Sequence, residues 1–375
     1  MTVWERMTKA REPAVERIVE TATEQSFTGL VGEADVGKTA LLHAALPRLE
    51  QDWTIVTLDL DCAWSPNRLA WRWARELARA VIGDVALSHL TALSPEMWPA
   101  NTRSALLELP TRLGREVATL VEAQTPPRGV GKPDVLSAPI QATHQLARQQ
   151  PLLLAIDHLE APRAAGLNSP DIGEILWRLR SRGQYARNLH VLVCARPPAQ
   201  SIAAGPDAAY RLDGRWLTLD PPSPQTFGDA TGDDITLCQL AHARTGGHPR
   251  ATIELLQEIP ADSATRDPDS LMGRLAERHS DLARRYVQHA RSVHRLGAHL
   301  LLAIAQGLGP YGATPEIAAS EIAPAMTRLH LNGLIRRTGP REWAIADPRV
   351  AWMLGGNRSY ELTQLEHTAA GHNSP

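Results

Sequence analysis

The chain has 375 residues, 43% of them hydrophobic and 21% charged, with a formal net charge of −2 at pH 7. That length implies two or three domains with ample core, and the near-neutral balance argues against a protein whose main partner is nucleic acid, although it admits a local basic face. Cys62, Cys194 and Cys238 are odd in number, far apart and without a CxxC pair, which supports neither a disulfide framework nor a zinc site; buried thiols in a reducing cytoplasm are expected.

The N-terminus, MTVWERMTKAREPAVERIVE, is charged throughout and lacks the apolar core of a secretory leader. No apolar run reaches the roughly 18 residues a membrane helix needs. Only Lys9, Lys38 and Lys132 are lysines among 39 basic residues. Arginine has replaced lysine nearly everywhere, as in a GC-rich genome, so the retained Lys38 stands out. A slim ammonium beneath a tight loop does what a planar guanidinium cannot.

Strand and helix signals alternate from the N-terminal region to about residue 220. Ser26–Val31 reads as a buried strand, followed by a glycine loop and an amphipathic helix from Lys38 to Glu50. Trp53–Leu60 is the next strand and Arg68–Val81 the next helix. Pro151–Ile156 is a short apolar run suited to a fully buried strand. Pro170–Arg182 reads as helix, and Leu189–Cys194 and Trp216–Leu219 complete five strands. The alternation predicts a mostly parallel sheet covered on both faces, an α/β architecture. Residues 83–150 interrupt it with helices expected around Ser104–Ala123 and Ala138–Gln149, joined by a Pro/Gly-rich linker, and read as a helical insertion. Beyond Pro221 helices dominate to about Gly307. Leu296–Leu354 carries a helix-turn-helix pattern with a terminal hairpin, and the last twenty residues read as a polar, disordered tail.

Gly32-Glu33-Ala34-Asp35-Val36-Gly37-Lys38-Thr39 fits GxxxxGK[ST], between a predicted strand and a predicted helix, which is the context the pattern requires. Backbone N–H groups of such a loop point at phosphates, the lysine bridges the outer phosphates, and the threonine hydroxyl ligates Mg²⁺. ATP with Mg²⁺ is the expected ligand. Asp35 stands where related loops often carry glycine; aspartate tolerates unusual backbone angles, but its charge near phosphate would weaken affinity. A lookalike at Gly129–Pro133 is rejected, because Pro133 replaces the hydroxyl residue.

Leu152–Asp157 (LLLAID) is an apolar strand ending in an acid, and Asp157 is the candidate for the metal's water shell. The carboxylate commonly found next is replaced by His158, which either orients a water or faces solvent. Glu160, two residues on, is either a surrogate base or an ordinary surface acid. Slow hydrolysis is expected.

The order phosphate loop, LLLAID, HVLVCARPP, LTLDPPSPQTF, TGGHPRATIELL resembles the AAA+/STAND group of signalling and archaeal-type ATPases over roughly Phe27–Leu256. The resemblance implies a P-loop NTPase core over 1–221 with its insertion at about 83–150, a helical lid over 222–292, a winged-helix domain over 293–356 and a tail over 357–375. It makes Arg196, in Cys194-Ala195-Arg196, a candidate γ-phosphate sensor. It places Gly247-His248-Pro249 at the lid helix that contacts the base, which brings in Pro249, with Arg250 as a second sensor. The alternatives are a solvated arginine at a strand end and a Gly-Pro helix start.

In the C-terminal part, Leu296–Ile304 reads as a helix and Thr314-Pro315-Glu316 as a capped helix start. Ile322–Asn332 reads as a third helix, and Leu334–Ile335 with Trp343–Ile345 as a hairpin. The third helix offers only Arg328 and His330 as base readers and carries Glu321; the hairpin offers Arg336, Arg337 and Arg341. Direct DNA binding is therefore not favoured over packing or docking of a protein partner. Leu271–Arg295 carries six arginines, which form a solvated helix face or a partner surface. The combined expectation is a nucleotide-controlled switch of AAA+/STAND type with weak basal ATPase activity. The alternatives are a DNA-associated ATPase resembling origin-recognition or transposition helpers, and a non-hydrolysing nucleotide-binding scaffold. Self-association or a protein partner is expected at the lid and winged helix, and no membrane contact.

Overall fold

The computed structural model describes residues 2–60, 69–70, 72–77, 79–80, 136–161, 172–183, 188–204, 209–210, 214–258, 273–275, 278, 280–312, 317–340 and 342–355. The expected helix around Ser104–Ala123, the linker with its rejected lookalike, the Thr314–Glu316 helix start, Cys62, Arg341 and the tail lie outside the described residues.

In chain order the elements are α1 (Val3–Ala10), α2 (Glu12–Glu24), β1 (Phe27–Val31), α3 (Lys38–Leu49), β2 (Thr54–Asp59), α4 (Ser137–Gln149), β3 (Leu152–Asp157), α5 (Ile172–Gly183), β4 (Leu189–Ala195), α6 (Pro197–Ala204) and β5 (Gly214–Thr218). There follow α7 (Pro224–Thr231), α8 (Ile235–Thr245), α9 (Pro249–Glu258), α10 (Ser280–Val293), α11 (Gly297–Ala305), the single turn α12 (Gly309–Gly312), α13 (Ala319–Leu331), β6 (Ile335–Arg337), β7 (Trp343–Ile345) and α14 (Pro348–Gly355). Residues 69–70, 72–77 and 79–80 are also helical.

The chain divides into two compact units, one formed by Val15–Val31 and Leu42–Leu217, the other by Met1–Ala14, Gly32–Leu41 and Thr218–Pro375. The first unit is built on the sheet, whose strand order is β2-β3-β4-β1-β5. The pairs β2–β3, β3–β4 and β4–β1 are all parallel. Every residue of β1 and of β3 is buried, as a strand covered on both faces must be, and their sequences FTGLV and LLLAID carry no polar alternation. Phe27 stacks on Tyr210 with ring centroids 4.3 Å apart. A Cβ on Gly29 would sit 2.2 Å from the Trp216 ring, so this strand position takes glycine because an aromatic ring from β5 lies flat against it. The buried Trp73 donates its indole N–H to Thr143 Oγ1 on α4 at 3.0 Å. The register pairs Asp59 with Asp157, so two carboxylates end adjacent strands at the same edge of the sheet.

The second unit holds two cores. Met7 of α1 packs with Phe227, Ala230, Cys238, Ala241, Ile253 and Leu256 of α7, α8 and α9. Leu300, Leu301, Ile322, Met326, Leu329, Ile335 and Val350 fill the other, among α10, α11, α13, the β6–β7 hairpin and α14. The helix α1 is set by a capping box. Thr2 Oγ1 accepts the Glu5 N–H at 3.2 Å, and Glu5 Oε2 accepts the Thr2 N–H at 2.6 Å. Ser223 and Asp234 cap α7 and α8 by accepting the Thr226 and Thr236 N–H groups, and Pro224 supplies the first residue of α7. The third C-terminal helix starts earlier than its apolar period suggested, at Ala319, and carries Pro324 within it.

Candidate phosphate-binding site

The loop from Gly32 to Thr39 leaves the C-terminal end of β1 and enters α3 at Lys38. Its path is dictated by its small residues. A Cβ on Gly32 would lie 2.8 Å from Val36 Cγ1 and 2.9 Å from the Leu219 carbonyl oxygen, which leaves room for no side chain. Gly37 has φ +97° and Asp35 φ +58°, so the loop turns twice through the left-handed region. Aspartate is among the few residues other than glycine that take that conformation at modest cost, which accounts for Asp35 in a glycine position. Leu41 N–H donates to Gly37 O at 3.0 Å, closing the first turn of α3.

Lys38 is buried, and its ammonium donates to the carbonyl oxygens of Gly32 at 2.7 Å and Glu33 at 2.6 Å. The side chain thus runs back under its own loop, as the motif requires of a slim cation. Arg11, in the turn between α1 and α2, donates from Nη1 to Val36 O at 2.6 Å and from Nη2 to Asp220 O at 3.1 Å. Burial draws the Arg11 pKa below its usual value and the Asp220 carboxylate opposes that shift; arginine stays charged regardless.

Both loop acids meet histidines. Asp35 Oδ2 lies 3.5 Å from His248 Nε2. His248 Nδ1 accepts the Ala251 N–H at 3.2 Å, so the ring proton belongs on Nε2, facing Asp35. Glu33 Oε2 lies 3.2 Å from Nε2 of His330 on α13, whose ring stands edge-on to Trp343. His248 follows Gly246 and Gly247, at φ +60° and +72°, which end α8 before Pro249 opens α9. Pro249 is buried. Arg250 is exposed and donates from Nε to Glu254 on its own helix at 3.0 Å. Glu254 also receives the buried Arg349, which in turn binds Asp347. Burial would raise the Asp347 pKa, but the bond to Arg349 and its charge hold it below the ordinary carboxylate value.

In the sheet unit, Asp157 is buried at the end of β3 and its Oδ1 accepts the His158 N–H at 2.8 Å. His158 is held at φ +57°, and its Nδ1 lies 3.0 Å from Asp59 Oδ1. The imidazole is a partly exposed neighbour of two strand-end carboxylates. Glu160 is buried, not a surface acid. It accepts the Arg196 N–H at 3.0 Å, and its other oxygen lies 3.3 Å from Arg196 Nε. The proposed surrogate base and the proposed sensor therefore occupy each other.

Of the residues singled out from the sequence, Gly32, Glu33, Ala34, Asp35, Val36, Gly37, Lys38 and Thr39 form one loop, and Glu160 is joined to Arg196. Arg250 stands on an exposed helix face in an i,i+4 pair. Asp59 and Arg11 were not singled out. The signal for Asp59 was present, since TIVTLD ends in an acid as LLLAID does.

The loop suits a triphosphate: a cradle that a Cβ would fill, a helix start, and a buried ammonium on the loop's own carbonyls. Among the described residues no group of three or more His, Cys, Asp or Glu side chains is placed to hold a metal. Among the same residues no helix is long and apolar enough to cross a membrane.

A parallel sheet of order 2-3-4-1-5, whose first strand runs through a glycine loop into a helix, is an α/β fold of the P-loop nucleoside-triphosphatase type. No protein-family model matches the sequence, and no curated protein is significantly similar to it. Among solved structures, the chain is similar to the Aeropyrum pernix ORC1 protein in complex with DNA, at 15% identity and a TM-score of 0.47, with 95% of this chain and 94% of that one covered. The Aeropyrum pernix ORC2 protein in its ADPNP-ADP complexes matches at 12% identity and a TM-score of 0.47, covering 96% and 95%. The Thermotoga maritima RuvB Holliday junction branch migration motor matches at 17% identity and a TM-score of 0.37, covering 94% of each chain.

Proposed function

We propose that the chain is an ATP-binding protein of AAA+ type that works as a nucleotide-controlled switch. The loop Gly32–Thr39, wrapped around the buried Lys38 at the start of α3, is the observation that carries this reading. Loop amides and Lys38 would hold the β- and γ-phosphates and Thr39 would hold Mg²⁺; by its sequence motif, an apolar strand ending in an acid, Asp157 is the residue proposed for the metal's water shell. The metal supplies charge neutralisation at the phosphates. Sequence motifs suggest 1–221 as the ATPase core, 222–292 as a lid and 293–356 as a winged helix. The helix α13 and the β6–β7 hairpin fit the last of these. The contacts Asp35–His248 and Glu33–His330 tie the phosphate loop to the start of α9 and to α13, so charge arriving at the loop bears on both. With Glu160 bonded to Arg196, turnover is slow until a partner or self-association rearranges that pair.

The test is equilibrium binding of a fluorescent ATP analogue with and without Mg²⁺, beside ATPase assays at several protein concentrations. Lys38→Ala should abolish binding while leaving the fold intact; wild-type affinity in that variant would overturn the site assignment.

A second reading, a DNA-associated ATPase, draws on exposed Arg284, Arg285 and Arg291 along α10 and exposed Arg295 just beyond it, although Arg284 pairs with Asp281 and Arg295 with Glu321. Binding of duplex DNA that weakens steeply with salt would favour it. Tight ATP binding without turnover under any condition would instead favour a scaffold.

A further inference from the structure

Arg11 reaches from the turn between α1 and α2 into the phosphate loop. Its guanidinium spans two backbone carbonyls from distant parts of the sequence, Val36 O at 2.6 Å and Asp220 O at 3.1 Å. It also lies against Gly37, where a Cβ would come within 3.2 Å of Nη1.

The peptide unit between Val36 and Gly37 is planar and trans, so its C=O and N–H point in opposite directions. A donor that fixes the Val36 carbonyl toward Arg11 therefore fixes the Gly37 N–H away from it. Gly37 lies in the left-handed region, where a glycine peptide has the most freedom to flip and the most to lose on being ordered. A loop that binds phosphate through backbone amides depends on those amides being aimed before the ligand arrives. Planar and carrying five donors, a guanidinium can hold two carbonyls at once, which an ammonium on a flexible stem does poorly.

We infer that Arg11 is a positioning residue of the phosphate site: by bridging the Val36 and Asp220 carbonyls it sets the orientation of the Gly37 amide and pre-organises the loop for phosphate. The inference rests on the reading of Gly32–Thr39 as a phosphate loop. It makes the turn between the two N-terminal helices part of the nucleotide site.

The experiment compares the wild-type chain with Arg11→Ala, Arg11→Lys and Lys38→Ala. Amide hydrogen exchange across residues 32–40 is measured without nucleotide, together with affinity for a fluorescent ATP analogue and the thermal melt. Arg11→Ala is expected to speed exchange at the loop amides and to weaken ATP binding about tenfold, the scale of one charged hydrogen bond. Arg11→Lys should fall between the two in both readouts. A role confined to packing would lower the melt while leaving loop exchange and affinity unchanged, and that result would overturn the inference. Should Arg11→Ala not fold, Arg11→Lys carries the same test, with wild-type exchange and affinity as the overturning result. If Lys38→Ala binds ATP as wild type does, the phosphate-loop reading itself fails. If Lys38→Ala is inert while the Arg11 variants bind normally, only the role of Arg11 fails.

Discussion

His248 Nε2 faces Asp35 Oδ2 across 3.5 Å, so the acid at the apex of the phosphate loop is met by the histidine that precedes α9. Asp35 is 73% exposed although His248 is buried, and a contact screened by solvent on one side contributes at most about 1 kcal/mol. Its weight is thus in the loop's charge, not in the stability of the fold. Replacing Asp35 with glycine removes a negative charge near the phosphates and suits φ +58° better. Asp35→Gly is expected to tighten ATP binding several-fold at low salt, with a smaller gain at high salt, as read by titration calorimetry. Weaker binding would mean that the contact with His248 holds the loop in its binding shape.

Glu160 and Arg196 predict a measurable coupling. The carboxylate is buried and bonded to both the backbone and the side chain of Arg196. Glu160→Gln and Arg196→Ala should each destabilise the sheet unit, and the double variant should lose less than their sum. A double-mutant cycle in urea should return a coupling of about 1–3 kcal/mol. Additive losses would show that the pair is incidental. Nucleotide binding should persist in Glu160→Gln.

Asp157→Asn tests the metal assignment. The strand-end carboxylate is replaced by a neutral amide of the same shape, so Mg²⁺-dependent turnover should vanish while nucleotide binding without Mg²⁺ stays near wild type. Retained turnover would move the metal role elsewhere, with Asp59 the first residue to examine because it ends the neighbouring strand in register.

The Asp347–Arg349–Glu254 cluster gives a pH dependence with a fixed sign. Asp347 has its folded pKa held below its usual value of 3.8 by Arg349. Its contribution to stability is complete above that value and is lost as pH falls through the folded pKa. Wild-type protein should therefore lose stability more steeply below about pH 4 than Asp347→Asn, as followed by thermal melts at stepped pH. Arg349→Ala removes the arginine that binds the buried Asp347, together with one of the partners of Glu254, and should cost about 3–5 kcal/mol at neutral pH; a loss under 1 kcal/mol would show that the cluster relaxes into solvent.

Gly29 yields a steric prediction. Its hypothetical Cβ falls 2.2 Å from the Trp216 ring, inside a strand with no exposed residue. Gly29→Ala should destabilise by about 1–3 kcal/mol through overpacking. Pairing it with Trp216→Leu should recover part of that loss, as measured by denaturant midpoints.

The sheet was legible in the sequence because a buried parallel strand must be apolar along its whole length. FTGLV, LLLAID and LHVLVCA advertise this directly, and the glycine loop was legible because its spacing admits few residue types. Asp59 was half legible, as a strand-end acid whose partner across the sheet only the register names. Pairings between residues far apart in the chain carry no local signature. Arg11 meets Val36, Glu33 meets His330, and Arg349 meets Glu254 because packing brings their backbones together, and each residue alone reads as an ordinary surface charge. The sequence by itself determined which segments could be strands, helices and a phosphate loop, through periodicity, capping and backbone sterics. Only the tertiary structure decided that Glu160 and Arg196 bind each other and that the loop acids face histidines, because long-range burial chooses partners by distance in space.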